Sequence, residues 1–299
     1  MADMISRDLE DLITLRDWLR YATSRFRAAG LSYGHGTATA TDEAAYLILH
    51  TLHLPIDELE PWLDCRLTAA ERAAVGQIVE RRVATRKPAS YLTNEAWIGP
   101  HSFYVDERVI VPRSYIGELL GEQLSAVLAE PEAVRRVLDL CTGSGALAIL
   151  AAMAFPYAEV DASDLSADAL QVAQRNVAEY GLEDRIRLVR SDLFKDLGAA
   201  KYDLILANPP YVAAAEIAEF PPEHRAEPLL AHAGGEDGLD VVRSIIDQAK
   251  AHLVPGGALV VEIGTGREGL EQAYDLPFLW LDTAESEGEV LALAQEQLP

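Results

Sequence analysis

The 299-residue chain has room for one large domain and a smaller companion, and with 49% hydrophobic and 24% charged residues it buries a substantial core rather than staying disordered or fibrous. A net charge of -23 argues against gripping a nucleic-acid duplex by neutralising its phosphates, and leaves open a basic protein partner or plain surface solubility. No run reaches the roughly 20 apolar residues of a membrane span. Acids stand in Met1 to Glu10, where a signal peptide needs a basic and then an apolar stretch. Cys65 and Cys141 are too few and too far apart for a disulfide or cysteine-metal framework. The expectation is a cytoplasmic protein with reduced thiols, no membrane contact and no metal.

Along the chain, Asp8 to Arg86 carries apolar residues such as Leu12, Leu15, Leu19 and Ala22 every three or four positions, which predicts a small helical domain. Breaks are expected at Gly30 to Thr41, with its three glycines, and at Leu54-Pro55. Thr68 is placed to cap a helix carrying Val75, Ile78, Val79 and Val83, and Lys87-Pro88 to end it. From Trp97 to Val111, alternating aromatic and β-branched residues around Gly99-Pro100 predict a hairpin, followed by a turn at Pro112-Arg113. The implied organisation is a helical domain over 1–94, a hairpin linker over 95–115 and a catalytic domain over 116–299. Trp18, Trp62, Trp97 and Trp280 are expected in the core.

After Val134 short apolar runs alternate with helical stretches, the pattern of an α/β fold with a doubly wound parallel sheet. The predicted strands are Val137 to Cys141, Glu159 to Ser163, Ile186 to Arg190, Tyr202 to Ala207, Ala258 to Ile263, Phe278 to Asp282 and Glu289 to Leu293. Ligands of such sheets bind beyond the carboxyl ends of the strands. The first strand runs into Asp139-Leu140-Cys141-Thr142-Gly143-Ser144-Gly145, whose glycines let a ligand approach the backbone. With Ala148 the loop fits a dinucleotide pattern as well as an S-adenosylmethionine site. Asp164, ending the second strand beside Leu165, is placed to accept both ribose hydroxyls or to cap the helix near Ser166. Asp192-Leu193, ending the third, is placed to receive an adenine amino group and pack on its ring, or to make a surface turn.

The fourth strand ends in Asn208-Pro209-Pro210-Tyr211. Two prolines extend neither a helix nor a central strand, so they fix the chain just after Asn208. An amide nitrogen is a weak nucleophile because its lone pair is delocalised, and no side chain deprotonates it outright. If the Asn208 carboxamide oxygen and the Pro209 carbonyl each accept one N–H, they turn the lone pair toward a methyl donor, and Tyr211 stacks on the planar amide. Catalysis then works by positioning and electrostatics, with no covalent nucleophile. Exocyclic amino groups of nucleic-acid bases are equally planar, so an enzyme acting on those bases is the competing expectation. A nicotinamide oxidoreductase, or a non-catalytic cofactor-binding module, leaves Asn208 to Tyr211 without a role.

These motifs, with Gly235-Glu236-Asp237-Gly238-Leu239 and Glu262-Ile263-Gly264 in order, make the chain similar to the N(5)-glutamine methyltransferases over nearly its whole length. The resemblance implies a Rossmann-like, seven-stranded class I methyltransferase sheet behind a helical domain that recognises a substrate protein. It also implies S-adenosylmethionine as cofactor, with S-adenosylhomocysteine as product. Release-factor enzymes of that family carry Pro-Arg-Pro after the hairpin, whereas this chain has Pro112-Arg113-Ser114-Tyr115-Ile116-Gly117-Glu118. Together with Tyr33-Gly34-His35-Gly36-Thr37, Ala89 to Asn94, Phe103 to Arg108 and Cys141, it resembles the branch that methylates the third protein of the large ribosomal subunit. That substrate is basic and is met free or within a ribosome precursor, with no direct nucleic-acid specificity expected. The implied site comprises Asn208, Pro209, Pro210 and Tyr211 for the amide, and Asp139, Cys141, Thr142, Gly143, Ser144, Gly145, Asp164, Leu165, Asp192, Leu193 and Asn208 for the cofactor. Arg113 either meets the methionine carboxylate or forms a salt bridge, and His35 either lines the substrate path or makes a turn.

Overall fold

The computed structural model describes residues 9–284 and 286–299, so Asp8 and most of Met1 to Glu10 lie outside it. The chain divides into two compact units. One runs to Glu95 and also takes in Pro221–Ala226, and the other comprises Ala96–Phe220 and Glu227–Pro299.

The first unit is helical: α1 (Leu15–Ala28), α2 (Ala40–Thr51), α3 (Ala69–Thr85) and the short α4 (Ala89–Thr93). α1 buries Leu15, Trp18, Ala22 and Phe26, one face of a 3.6-residue period, and Thr14 with Asp17 makes a reciprocal cap at its start. Thr68 and Glu71 do the same for α3, as the sequence predicts, and Arg86 ends that helix at φ +58° just before Lys87-Pro88. The contribution of Pro221–Ala226 has an electrostatic reason. Buried Glu223 lies 2.8 Å from the Arg86 guanidinium and 3.6 Å from that of Arg82, which pairs with buried Glu43 at 2.7 Å. Buried charges persist when paired in this way. Contiguous domain boundaries cannot express such a segment.

A hairpin of β1 (Glu95–Ile98) and β2 (His101–Tyr104), shorter than the alternation predicts and all but its first residue in the second unit, is followed by α5 (Tyr115–Gly121). The main sheet and its crossovers then run β3 (Arg136–Leu140), α6 (Ala146–Ala154), β4 (Glu159–Asp164), α7 (Ala167–Glu179), β5 (Ile186–Arg190) and β6 (Tyr202–Ala207). They continue with α8 (Ala214–Ala218), α9 (Asp240–Ala249), β7 (Leu253–Glu262), α10 (Arg267–Ala273), β8 (Leu279–Leu281) and β9 (Val290–Ala294). Strand order is β5-β4-β3-β6-β7-β9-β8, with β9 antiparallel to both of its neighbours. This is the expected seven-stranded, Rossmann-like class I methyltransferase sheet. Alternate residues of each strand feed opposite faces: Val137, Leu204, Leu206 and Val260 pack under α5 and α6, while Leu138, Ile205, Leu259 and Val261 pack under α9.

Several local expectations change. The first strand stops at Leu140 because Cys141 turns to φ +58°. β7 starts five residues early, at Leu253, through an irregularity opposite Tyr202 to Leu204. Trp18 is buried, but Trp97 is 40% exposed, and Trp62 and Trp280 lie only partly buried at the edges of the clusters. In a two-stranded hairpin one face has no partner sheet, and Trp97 stands on that face.

Candidate active site

The strand ends of the second unit converge on one edge of the sheet. At β3, Thr142 donates from its backbone N–H to the Ser163 carbonyl at 2.9 Å, locking the loop to the end of β4. Gly143 then donates its N–H to Asp164 Oδ2 at 2.9 Å, while Ser166 N–H donates to Asp164 Oδ1 at 2.8 Å. Each carboxylate oxygen keeps acceptor capacity beyond those bonds. Burial raises the Asp164 pKa, and the backbone N–H groups of Ser166, Gly143 and Leu165 oppose that rise. Ser166, not Asp164, caps α7 through its hydroxyl, accepting from Ala169 N–H. At Gly145, φ is +80° and an added Cβ would lie 3.1 Å from Ala173 Cβ, so loop and α7 pack at a distance only glycine allows.

Asp139 is fully buried below this loop and accepts the Thr142 hydroxyl at 2.5 Å. Burial raises its pKa to about 7 against the hydrogen bonds from Thr142 and Ala148 N–H. Ser144 is held through its carbonyl by Asn176 Nδ2 at 2.8 Å, and the same buried carboxamide bonds both the N–H and the carbonyl of Tyr104. Asn176 carries no local motif, and only the fold gives it this place. The Cys141 thiol is pushed up by burial and by Asp164, Asp139 and Asp192. Leu165, 47% exposed, stands beside Asp164, and Leu193 packs partly on the core at φ +51°. Asp192 is half-exposed and pairs with Lys195.

At the end of β6, Asn208 is half-buried and Pro209 buried. Asn208 Nδ2 donates to the Arg113 carbonyl at 3.0 Å, which fixes the carboxamide with its oxygen turned away from that bond. The Arg113 guanidinium makes a salt bridge to Glu227 at 3.3 Å. Glu227 also accepts the Val111 N–H at 2.9 Å and lies 3.1 Å from His232 Nε2. A second layer supports Tyr211. Its hydroxyl donates to Glu262 at 3.4 Å, and its ring packs so closely on Gly264 that an added Cβ there would sit 2.7 Å from it. Burial, then Glu262, pushes the phenol up.

The Gly235 to Leu239 stretch buttresses this loop. Val212 N–H bonds the His232 carbonyl at 2.9 Å, Gly234 N–H bonds the Val212 carbonyl at 3.0 Å, and Ala214 N–H bonds the Gly235 carbonyl at 3.0 Å. Gly238, at φ +84°, comes so near that a Cβ would meet the Tyr211 carbonyl oxygen at 2.4 Å. Glu262 and Glu227 adjoin the candidate site residues, and the sequence pattern gives neither a role, although Glu262 lies in the Glu262-Ile263-Gly264 motif. The signal for Glu262 is an acid closing the apolar run Leu259 to Val261, whereas Glu227 has none. His35 lies elsewhere, buried in the helical unit with its ring edge-on to His224 at 4.4 Å.

The family model described as Methyltransferase small domain matches residues 118–220, and that described as PrmC N-terminal domain matches residues 17–93. The ribosomal protein uL3 glutamine methyltransferase of Bordetella pertussis (strain Tohama I) is 55% identical over 296 residues, 99% of each chain. The protein of the same name from Burkholderia pseudomallei (strain K96243) is 54% identical over 294 residues, 96% of each. The hMettl16 catalytic domain, solved in complex with MAT2A 3′UTR hairpin 6, matches 76% of this chain and 81% of its own with a TM-score of 0.50. At 16% identity it is a likeness of fold alone.

Proposed function

The chain belongs to the family of ribosomal protein uL3 glutamine methyltransferases, and from that membership we propose that it methylates the side-chain N5 of a glutamine in ribosomal protein uL3, using S-adenosylmethionine held at the glycine loop. The observation that carries the mechanism is the Asn208 carboxamide, pinned through its amino group to the Arg113 carbonyl at 3.0 Å. With Nδ2 committed there, Oδ1 is the atom left to accept a substrate N–H.

The residues fit the cofactor. Asp164 keeps a lone pair on each oxygen for a ribose diol while Gly143 N–H holds it against the loop. Leu165 presents apolar surface next to it for a ring to cover. Gly143 leaves the backbone bare toward open space, whereas the room at Gly145 is taken up by α7, and Asp192 with Leu193 would flank the adenine end. Arg113, paired with Glu227, lends its side chain to the methionine end only as a shared cation. When bound, S-adenosylmethionine would supply an electrophilic methyl group for the incoming nitrogen.

Asn208 Oδ1 and the Pro209 carbonyl each accept one amide N–H. The glutamine nitrogen is thereby oriented, and its lone pair is drawn out of conjugation as the new bond forms. Tyr211 stacks on the amide plane and excludes water. As positive charge develops on the nitrogen, the two fixed acceptors strengthen their hold, a form of preorganised electrostatic stabilisation. The N–H proton leaves to solvent after transfer, since the methylated, positively charged amide is a strong acid that needs no base in the site.

The helical unit serves as the recognition domain for the substrate protein, and the net charge of -23 suits a basic partner such as uL3, free or in a ribosome precursor. Among the described residues no helix is long and apolar enough to cross a membrane, and the reaction belongs in the cytoplasm, where ribosomes assemble. The test is to incubate the enzyme with labelled S-adenosylmethionine and, in parallel, unmethylated uL3, unmethylated release factor and ribosomal RNA, then to map the label. A methyl group on a uL3 glutamine is expected. Label on release factor or RNA, with none on uL3, contradicts the substrate.

A further inference from the structure

Glu262 closes the interior strand β7 and is 2% exposed. A strand end inside an apolar layer ordinarily takes an aliphatic residue, because burying a carboxylate is costly unless donors surround it. Here donors do surround it, and they come from two directions. Oε2 accepts the Ser114 hydroxyl at 2.7 Å and the Tyr115 N–H at 3.0 Å, and Oε1 accepts the Tyr211 hydroxyl at 3.4 Å. Ser114 does not spend its hydroxyl on capping the helix it precedes. It follows Arg113 directly, and the Arg113 carbonyl is the acceptor that orients Asn208.

We propose that Glu262 is a positioning residue for methyl transfer: its single carboxylate fixes both jaws of the amide clamp, Tyr211 through its hydroxyl and the Asn208 carboxamide through Ser114 and the adjoining Arg113 carbonyl. This rests on the reading of Asn208 and Tyr211 as the groups that hold the substrate amide. The two oxygens divide between the two jaws, so a displacement of the carboxylate moves the stacking ring and the amide acceptor together. The contact with Gly264 sets the ring's height from below, while Glu262 fixes its outer end. Burial raises the Glu262 pKa to about 7, and the bonds from Ser114, Tyr115, Ile116 and Tyr211 all oppose the rise, so the donors around it favour the charged form against its burial.

The experiment compares Glu262→Leu and Glu262→Gln by kcat and KM for uL3, with calorimetric binding of S-adenosylhomocysteine, and runs Asn208→Ala in the same series. Glu262→Leu keeps the volume but frees both jaws, and a kcat loss of roughly a hundredfold is expected, as for a misplaced catalytic geometry. KM and cofactor binding should stay within about twofold, since neither ligand touches the carboxylate. Glu262→Gln, which still bonds both sides, should restore most of the rate. Near-normal kcat in Glu262→Leu beside an inactive Asn208→Ala overturns the positioning role alone, whereas an active Asn208→Ala overturns the clamp on which it rests. Equal losses in the Leu and Gln variants, with cofactor binding lost as well, would mark a structural carboxylate and also overturn it. Should Glu262→Leu fail to fold, Ser114→Ala and Tyr211→Phe decide. Joined through one carboxylate, their kcat losses should combine to less than their product, and simple multiplication contradicts the link.

Discussion

The two halves of the proposed active edge are built in different ways. The glycine-loop half is local: Asp139, Thr142, Gly143 and Gly145 lie on one strand-turn-helix, and their main tie outside it is to Asp164 at the end of the adjacent strand. The amide half is assembled from afar. Asn208 is held by Arg113, 95 positions earlier in the chain, and Tyr211 by Glu262, 51 later, with Gly238 pressed against its carbonyl. A nucleoside binds to backbone and diol acceptors that a short loop can carry. Orienting a weak nucleophile demands fixed acceptors on a common frame, and only tertiary structure supplies one.

If that division is right, perturbing the distant half should lower kcat and perturbing the local half should weaken cofactor binding. The largest effect is expected from Asn208→Ala, a loss of at least roughly a thousandfold in kcat with S-adenosylhomocysteine affinity nearly unchanged, measured by single-turnover kinetics and calorimetry. Near-normal turnover in that variant would break the comparison outright. Next is Gly238→Ala, which touches no ligand. Its Cβ would overlap the Tyr211 carbonyl oxygen at 2.4 Å, on a backbone at φ +84°. Moving the Tyr211 segment by even a fraction of an ångström should cost roughly a hundredfold in kcat, together with about 1–3 kcal/mol of stability from strain.

On the local side, Asp164→Ala removes a carboxylate that braces Gly143 and that the proposed function assigns to the ribose diol. Cofactor Kd should rise roughly 10- to 100-fold while kcat at saturation changes little, which titration calorimetry and saturation kinetics separate. The last effect falls on stability and not on turnover, and concerns Asp139, whose carboxyl is raised from an ordinary value of 3.8 to about 7 by burial in the fold. Between those values the folded form holds a proton that the unfolded chain has released, so stability declines as pH climbs from about 4 to about 7. In Asp139→Asn that contribution disappears, and the slope of unfolding free energy against pH over this window should flatten by at most about 1.4 kcal/mol per unit. An unchanged slope would mean that Asp139 carries its charge in the fold without penalty.

The same division decides what is legible in the sequence. Element order, the helical start and the strand ends bearing Gly143, Asp164, Asp192 and Asn208 follow from hydrophobic period and from glycine and proline, which act within a few residues. Thr68 is readable as a cap because a reciprocal Thr–Glu pair spans only one turn. What stays hidden depends on chain segments meeting at a distance. Asn176 reaches from mid-helix to both Ser144 and Tyr104, Glu223 joins the helical unit through two arginines, and Glu227 pairs with Arg113. Trp97 misleads because an aromatic residue in an alternating run reads the same whether its face of the hairpin is covered or bare.

The clamp itself is tested most directly by a crystal structure of the enzyme with S-adenosylhomocysteine and a glutamine peptide from its substrate protein. The predicted result is the glutamine side-chain nitrogen within hydrogen-bond distance of both Asn208 Oδ1 and the Pro209 carbonyl, with the Tyr211 ring against the amide plane and the nitrogen facing the cofactor sulfur. A nitrogen bound to other groups, or an Asn208 that has given up the Arg113 carbonyl to donate its own amino group to the substrate, would contradict it.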